Sequence, residues 1–293
     1  MPTYLAASKE LPVSASLSTL TTASNWIPNT AALVLTGKDL SNLGNTALAQ
    51  FWTQLTNTIS GSSRNTISQW VKPLTDVQNP WRIDLSEDIF SWVKGEYALG
   101  LLPNNGKKAP DWILVVDKSD GKAGISHLDQ IAASSGLSIN SFSLEQQKIL
   151  AWTQIQAAAT PQNNKQDKPF NIDAQIRGLH TTLGNYEIFT SSIATMDKIL
   201  TTEENSFMKS PSFQNSLHVM PFPNQGYAYL DWSTGQEIIK HEFPMIKLFT
   251  ALSKPFVNKL LPRSDFDQVS LTLSSDSSHT DFLKASLLLQ LEP

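Results

Sequence analysis

Two apolar runs lie near the middle of the chain, Trp92 to Leu102 and Asp111 to Asp117, joined by the turn-forming stretch Pro103-Asn104-Asn105-Gly106-Lys107-Lys108-Ala109-Pro110. Neither run alternates, so both read as strands covered on both faces, and the connector makes them a central hairpin. Period-two alternation appears instead at 11–22, where Leu11, Val13, Ala15 and Leu17 interleave with hydroxyl side chains; this predicts a half-exposed edge strand, and Pro12 suits an edge. The run Ala31 to Thr36 predicts another central strand, ended by Gly37. Leu43, Ala47, Leu48, Phe51, Trp52, Leu55 and Ile59 recur at helical spacing, with Gly61 as the stop. A weaker helical pattern covers 66–71 and breaks at Pro73, and 84–92 reads as an acidic helical turn.

Beyond the hairpin, Ile125, Leu128, Ile131 and Ala132 predict a helix that stops near Gly136, followed by strands over 137–142 and 148–155. The stretch 157–171 is almost free of apolar residues, as a linker or a long hairpin loop would be. Residues 175–183 and 186–190 form a tight hairpin turned at Gly184-Asn185. Two helices follow, one carrying Ile193, Met196, Ile199 and Leu200 and one over 212–219. Strands are then expected at 227–232, 266–273 and 282–291.

The lead-in Pro223-Asn224 before Tyr227-Ala228-Tyr229-Leu230 resembles Pro28-Asn29 before Leu33-Val34-Leu35, which suggests a duplicated strand-helix-hairpin unit. Single helices between strand pairs predict an α+β fold with a largely antiparallel sheet and helices packed on it. The units are 1–160 and 172–293, able to share one continuous sheet.

Charged residues make up 16% of the chain against about 25% in an ordinary soluble domain, and Ser, Thr, Asn and Gln fill the gap. With a formal charge of −4 there is no field to attract nucleic acid, which is excluded as a partner. The absence of cysteine removes disulfides and thiolate chemistry. No apolar run reaches membrane-spanning length, and Met1 to Leu5 lack the basic stretch and apolar core of a signal peptide.

Candidate chemistry is sparse. Asp84, Glu87 and Asp88 share a helix face and, with Glu96, form the carboxylate set that a hydrolase would use; the simpler reading makes the first three the capped, acidic first turn of a short helix and gives Glu96 a nearby Lys or Arg. His127, His180, His218, His241 and His279 stand too far apart for a paired-histidine metal site, and neither a Gly-x-Ser-x-Gly turn nor a phosphate loop occurs. No metal and no cofactor is expected. The segment 237–263 carries more cations than anions among aromatic and aliphatic residues. Its Lys240, Phe243, Lys247, Phe249, Lys254, Phe256 and Lys259 suit an anionic membrane surface or an apolar partner, or else the solvated side of helices that cover the sheet. Elsewhere the polar side chains are expected to serve turns, caps and hydration, with no preorganised cluster of titratable groups.

Four places carry a family resemblance: Pro28 to Leu35; Trp92 to Leu99 with Pro110 to Val116; Leu183 to Ser191; and Ser210-Pro211-Ser212-Phe213 before Tyr227 to Asp231. In their order and spacing they resemble a bacterial family, rich in cyanobacterial members, known as domain of unknown function 3352. The resemblance implies an extracytoplasmic module, in the periplasm or thylakoid lumen, held by one N-terminal membrane span upstream of the present sequence. It implies no reaction. The function expected from sequence is therefore non-catalytic binding or scaffolding beside a membrane, with a membrane protein or lipid surface as partner, and an auxiliary role near photosynthetic complexes as one version. The hydrolase built on cleft carboxylates is the alternative.

Overall fold

The computed structural model describes residues 3–11, 22–41, 88–104, 110–119, 121–157, 172–201, 205–211, 213–214, 224–231, 234, 269–279 and 282–291. Its strands are β1 (Thr3–Leu11), β2 (Leu33–Lys38), β3 (Glu96–Leu102), β4 (Asp111–Asp117), β5 (Ser138–Leu144), β6 (Gln147–Ala157), β7 (Ile172–Leu183), β8 (Tyr186–Thr190), β9 (Asn224–Asp231), β10 (Val269–His279) and β11 (Phe282–Leu291). Among the described residues the α-helices are α1 (Lys122–Ser134) and α2 (Ile193–Leu200), and short 3-10 turns cover Thr22–Trp26, Phe90–Trp92 and Phe207–Lys209. The strands form one eleven-stranded sheet in the order β1-β11-β10-β9-β2-β3-β4-β8-β7-β6-β5, and every neighbouring pair is antiparallel. An α+β fold dominated by antiparallel sheet is thus what the chain adopts.

The centre of the sheet is covered on both faces, as the unalternating runs of β3 and β4 predict. Residues Tyr97 to Leu102 are all buried, as are Ile113 to Val116. One face carries Val34, Ala98, Ile113, Val115, Ile188, Tyr227 and Tyr229 beneath the Thr22–Trp26 turn, α2 and the Phe207–Lys209 turn. Phe207 and Phe213 sit 4.1 Å apart there, with Tyr227 and Tyr229 edge-on to Phe213. Each aliphatic side chain so buried contributes about 2 kcal/mol relative to exposure. The opposite face, beneath α1, carries Trp152, His180, Glu187 and Phe189, because partners in the ladders share a face and alternate residues change face.

Local chemistry sets the ends of these elements. Gly136, at φ +83, closes α1 with Gly136 N–H donating to Ala133 and Leu137 N–H to Ala132, a paired C-terminal cap that only a left-handed residue permits. Gly184, at φ +57, turns β7 into β8 with Leu183 opposite Tyr186. Ser192 caps α2 by accepting from Thr195 N–H, and its hydroxyl and that of Ser191 donate to Asp111, tying the helix to the start of β4.

Several sequence expectations shift. The described edge strand is Thr3–Leu11, paired with β11, and Thr22 begins a 3-10 turn; 12–21, which carry the expected edge strand, lie outside the described residues. Gly37 does not end β2, which pairs through Lys38. Trp92 does not belong to β3. Its indole leaves the sheet to donate to Asp88 O at 2.6 Å and to cover Gly121 and Gly124 at the start of α1, where a Cβ on Gly124 would sit 2.1 Å from the ring. β10 begins at Val269 and runs on to His279. Ile193, expected on the buried side of α2, is 41% exposed. The stretch 158–171 links β6 to β7, whose pairing runs out to Ala157 opposite Ile172, so it spans neighbouring strands of one sheet. The helices expected at 43–59, 66–71 and in 237–263, and most of 212–219, lie outside the described residues.

Candidate functional site

A line of three charged side chains crosses the sheet face beneath α1. The two-residue turn at Gly184-Asn185 fixes the register of β7 against β8, setting Thr182 opposite Glu187 and His180 opposite Phe189. His180 is 1% exposed and Glu187 4%. Imidazole Nδ1 lies 2.5 Å from Glu187 Oε1, and Nε2 lies 3.2 Å from Asp129 Oδ1 on α1. The Trp152 indole N–H donates to the same Asp129 oxygen at 2.8 Å, and the Thr182 hydroxyl donates to Glu187 Oε2 at 2.6 Å. A carboxylate only accepts, so both ring nitrogens donate and the ring is an imidazolium. It is flanked by Phe189, stacked at 5.3 Å, and by Trp152 at 5.4 Å, faces that favour a cation.

Burial alone would depress the histidine's proton affinity, but the hydrogen bonds and charges of Asp129 and Glu187 reverse that and push its pKa up to about 9. Burial would likewise raise the Asp129 carboxyl, yet donation from His180 and Trp152 holds it below the usual carboxylate range. An imidazolium with both N–H groups engaged has no lone pair to accept a proton, so His180 cannot act as a general base at neutral pH. What the line does is fasten: α1 is held to β6, β7 and β8 through one charge-assisted network. The expectation that polar side chains serve only turns, caps and hydration is corrected here, since these groups form a charged cluster in which His180 and Glu187 are enclosed by the fold and Asp129 is partly so.

A second cluster gathers on the other sheet face. Glu96 Oε2 accepts from Thr22 N–H at 2.9 Å, Thr22 Oγ1 at 2.8 Å and Tyr186 OH at 2.8 Å, and the Thr22 and Tyr186 hydroxyls also touch. Lys38 Nζ stands 3.7 Å from Oε1. The carboxylate therefore caps the Thr22–Trp26 turn across 74 residues of sequence. Burial pushes the Glu96 carboxyl up, but the Tyr186 and Thr22 donors and the Lys38 charge outweigh it and hold it low. Burial pushes the Tyr186 phenol up to about 12, helped by the carboxylates of Glu96 and Asp117 and opposed by Thr22.

Of the sequence-derived carboxylate set, Asp88 pairs with His127 at 3.2 Å and Glu96 belongs to the cluster just described, so the two stand in different networks. Asp84 and Glu87 lie outside the described residues. So do Lys240, Phe243, Lys247, Phe249, Lys254, Phe256 and Lys259. Among the five histidines, His180 sits in the buried line, His127 on the exposed side of α1, His279 at the end of β10 opposite Phe282, and His218 and His241 outside the described residues.

A family model described as "Protein of unknown function (DUF3352)" matches residues 5–291, from the first strand of the sheet to the last. The chain belongs to the DUF3352 family. Neither a curated protein nor a solved structure matches it. The match runs through all four segments that carried the sequence resemblance and through the strands on both sides of each cluster. Sequence reading of this DUF3352 chain missed His180 because it sought histidine beside histidine. The signal available was histidine beside carboxylate: with a two-residue turn at 184–185, residues 180, 182, 187 and 189 must share a face.

Proposed function

We propose that this protein is a non-catalytic binding or scaffolding module that works beside a membrane and contacts a protein or lipid surface. The observation that carries this reading is the engagement of the two charged clusters and of Asp88 in the fold itself. His180 is held as an imidazolium between two carboxylates, Glu96 caps a distant turn, and Asp88 pairs with His127. Groups fixed in this way stiffen a platform and are not poised for proton transfer. The extracytoplasmic setting, in a periplasm or thylakoid lumen near photosynthetic complexes, is supported by the resemblance of DUF3352 members to modules held by one N-terminal span. Among the described residues no helix is long and apolar enough to cross a membrane.

An internal duplication is part of the proposal. The sheet order supports it: β2 is followed by the connection 39–95 and then by the adjacent hairpin β3–β4, with β8 beside it. β9 is followed by 232–268 and then by the adjacent hairpin β10–β11, with β1 beside it. The two four-strand sets meet at the antiparallel β2–β9 pair, the arrangement that two copies of one unit sharing a sheet would give.

Affinity capture from native membranes is the direct test: a reproducible membrane-protein or lipid partner supports the module, and hydrolase activity abolished by Glu96→Gln contradicts it. For the lipid version, reversing the charges of Lys247, Lys254 and Lys259 is expected to weaken flotation with anionic liposomes, and equal flotation removes that version.

A further inference from the structure

We propose that β5 is a docking edge at which a second copy of this chain adds an antiparallel strand, making a twofold dimer with one sheet continuous across both molecules. β5 ends the sheet order, and among the described residues no strand pairs with the side of its backbone away from β6, which leaves an edge of N–H and C=O groups there. Such edges are normally blunted by charge, proline or a bulge. Ser138-Ile139-Asn140-Ser141-Phe142-Ser143-Leu144 holds no charge and no proline, and its register with β6 runs from Ser138 to Leu144 without a shift. The opposite edge differs: β1 carries Lys9 and Glu10 and is followed by Pro12. Asn140, Ser141 and Ser143 are exposed, as is Ile139, and Phe142 and Leu144 are partly so, so the strand is open to an incoming backbone.

The occupant follows from the strand's own sequence. A twofold axis perpendicular to the sheet keeps each side chain on its face, so a strand pairing with its copy must match residues of like parity. Centred on Ser141, the register sets Ser138 opposite Leu144, Ile139 opposite Ser143 and Asn140 opposite Phe142. Every large side chain then meets a small or polar one, and the pattern is complementary to its own reverse. Charge completes the case: a charged edge strand would face its own sign in a second copy, whereas this one brings no charge to the seam. A seven-residue seam covers less than a standard interface, so the dimer depends on concentration.

The chain holds no cysteine, which makes the geometry testable by single introduction. Sedimentation of the intact chain over a concentration series into the high micromolar range is expected to show reversible dimer, and Ser141→Lys to leave monomer with unchanged circular dichroism. Under mild oxidation Ser141→Cys is expected to form a covalent dimer, because the axis brings that position against itself, while Ser134→Cys on the exposed side of α1 does not. A chain monomeric throughout, a dimer that Ser141→Lys leaves intact, or equal crosslinking through both cysteine positions would each overturn the proposal.

Discussion

Tyr186 and Glu187 are neighbours on β8, point to opposite faces of the sheet, and each anchors a polar cluster of a different kind. On Tyr186's side, Glu96 is half-wetted and stabilised by hydroxyls, a backbone N–H and a lysine whose side chain is 40% exposed. On Glu187's side everything but Asp129 is enclosed, and the neutralising charge is a histidine only 1% exposed. The difference shows how depth decides which partner a carboxylate needs. Near solvent, neutral donors hold its charge, while under a helix it requires a cation, and the cation in turn becomes fixed.

Removing one member separates the two most sharply. Glu187→Ala leaves the His180 imidazolium buried against Asp129 alone and is expected to lower unfolding stability by about 3–5 kcal/mol in urea titrations. Replacing both His180 and Glu187 by leucine is expected to lose less than the sum of the single changes, because no buried charge is left unpaired and Asp129, with its side chain 29% exposed, keeps the Trp152 donor and contact with water.

Acidity gives the next largest effect. The His180 pKa is raised from 6.5 to about 9, so its contribution is fully present below 6.5 and is lost as pH rises through 9. The loss is on the order of 3 kcal/mol. Asp129 acts in the opposite sense, stabilising above the ordinary carboxylate range and ceasing to do so as pH falls through its lowered pKa. Stability followed from pH 6.5 to 9 is expected to decline in the native chain and to flatten in His180→Gln. A decline of equal slope in both would assign the effect elsewhere.

The second fastening of α1 sharpens the comparison further. Gly124→Ala drives a methyl into the Trp92 ring and is expected to cost about 1–3 kcal/mol in thermal or urea unfolding. It acts at the start of the helix and leaves the His180 titration unchanged. The smallest effects belong to the solvated cluster: Glu96→Gln is expected to cost about 1 kcal/mol through the weakened cap, and Lys38→Met no more than about 0.5 kcal/mol. A Lys38→Met loss matching that of Glu187→Ala would erase the distinction of depth.

Much of the sheet was legible because its signals are local. The hairpin at Gly184-Asn185, the stop of α1 at Gly136 and the unalternating β3 and β4 depend on residues close in sequence, and each falls where the pattern put it. Trp92 misled because an aromatic next to a strand reads as its first residue, whereas the glycines that seat it lie some 30 positions on. The Glu96 site was half visible: a cationic partner was expected and Lys38 supplies one, but Thr22 and Tyr186 arrive from 74 and 90 residues away. In the buried line, turn geometry brings His180 to Glu187, while Trp152 is placed by the β6–β7 ladder and Asp129 only by the docking of α1 on the far wing of the sheet. No spacing rule reaches that distance.

The central claim is that His180 is a fixed structural cation and not a catalytic base, and nitrogen-resolved NMR of its imidazole tests it most directly. The account predicts both ring nitrogens protonated at neutral pH, with titration delayed to about 9; a ring carrying one proton at neutral pH, or titrating near 6.5, would contradict it.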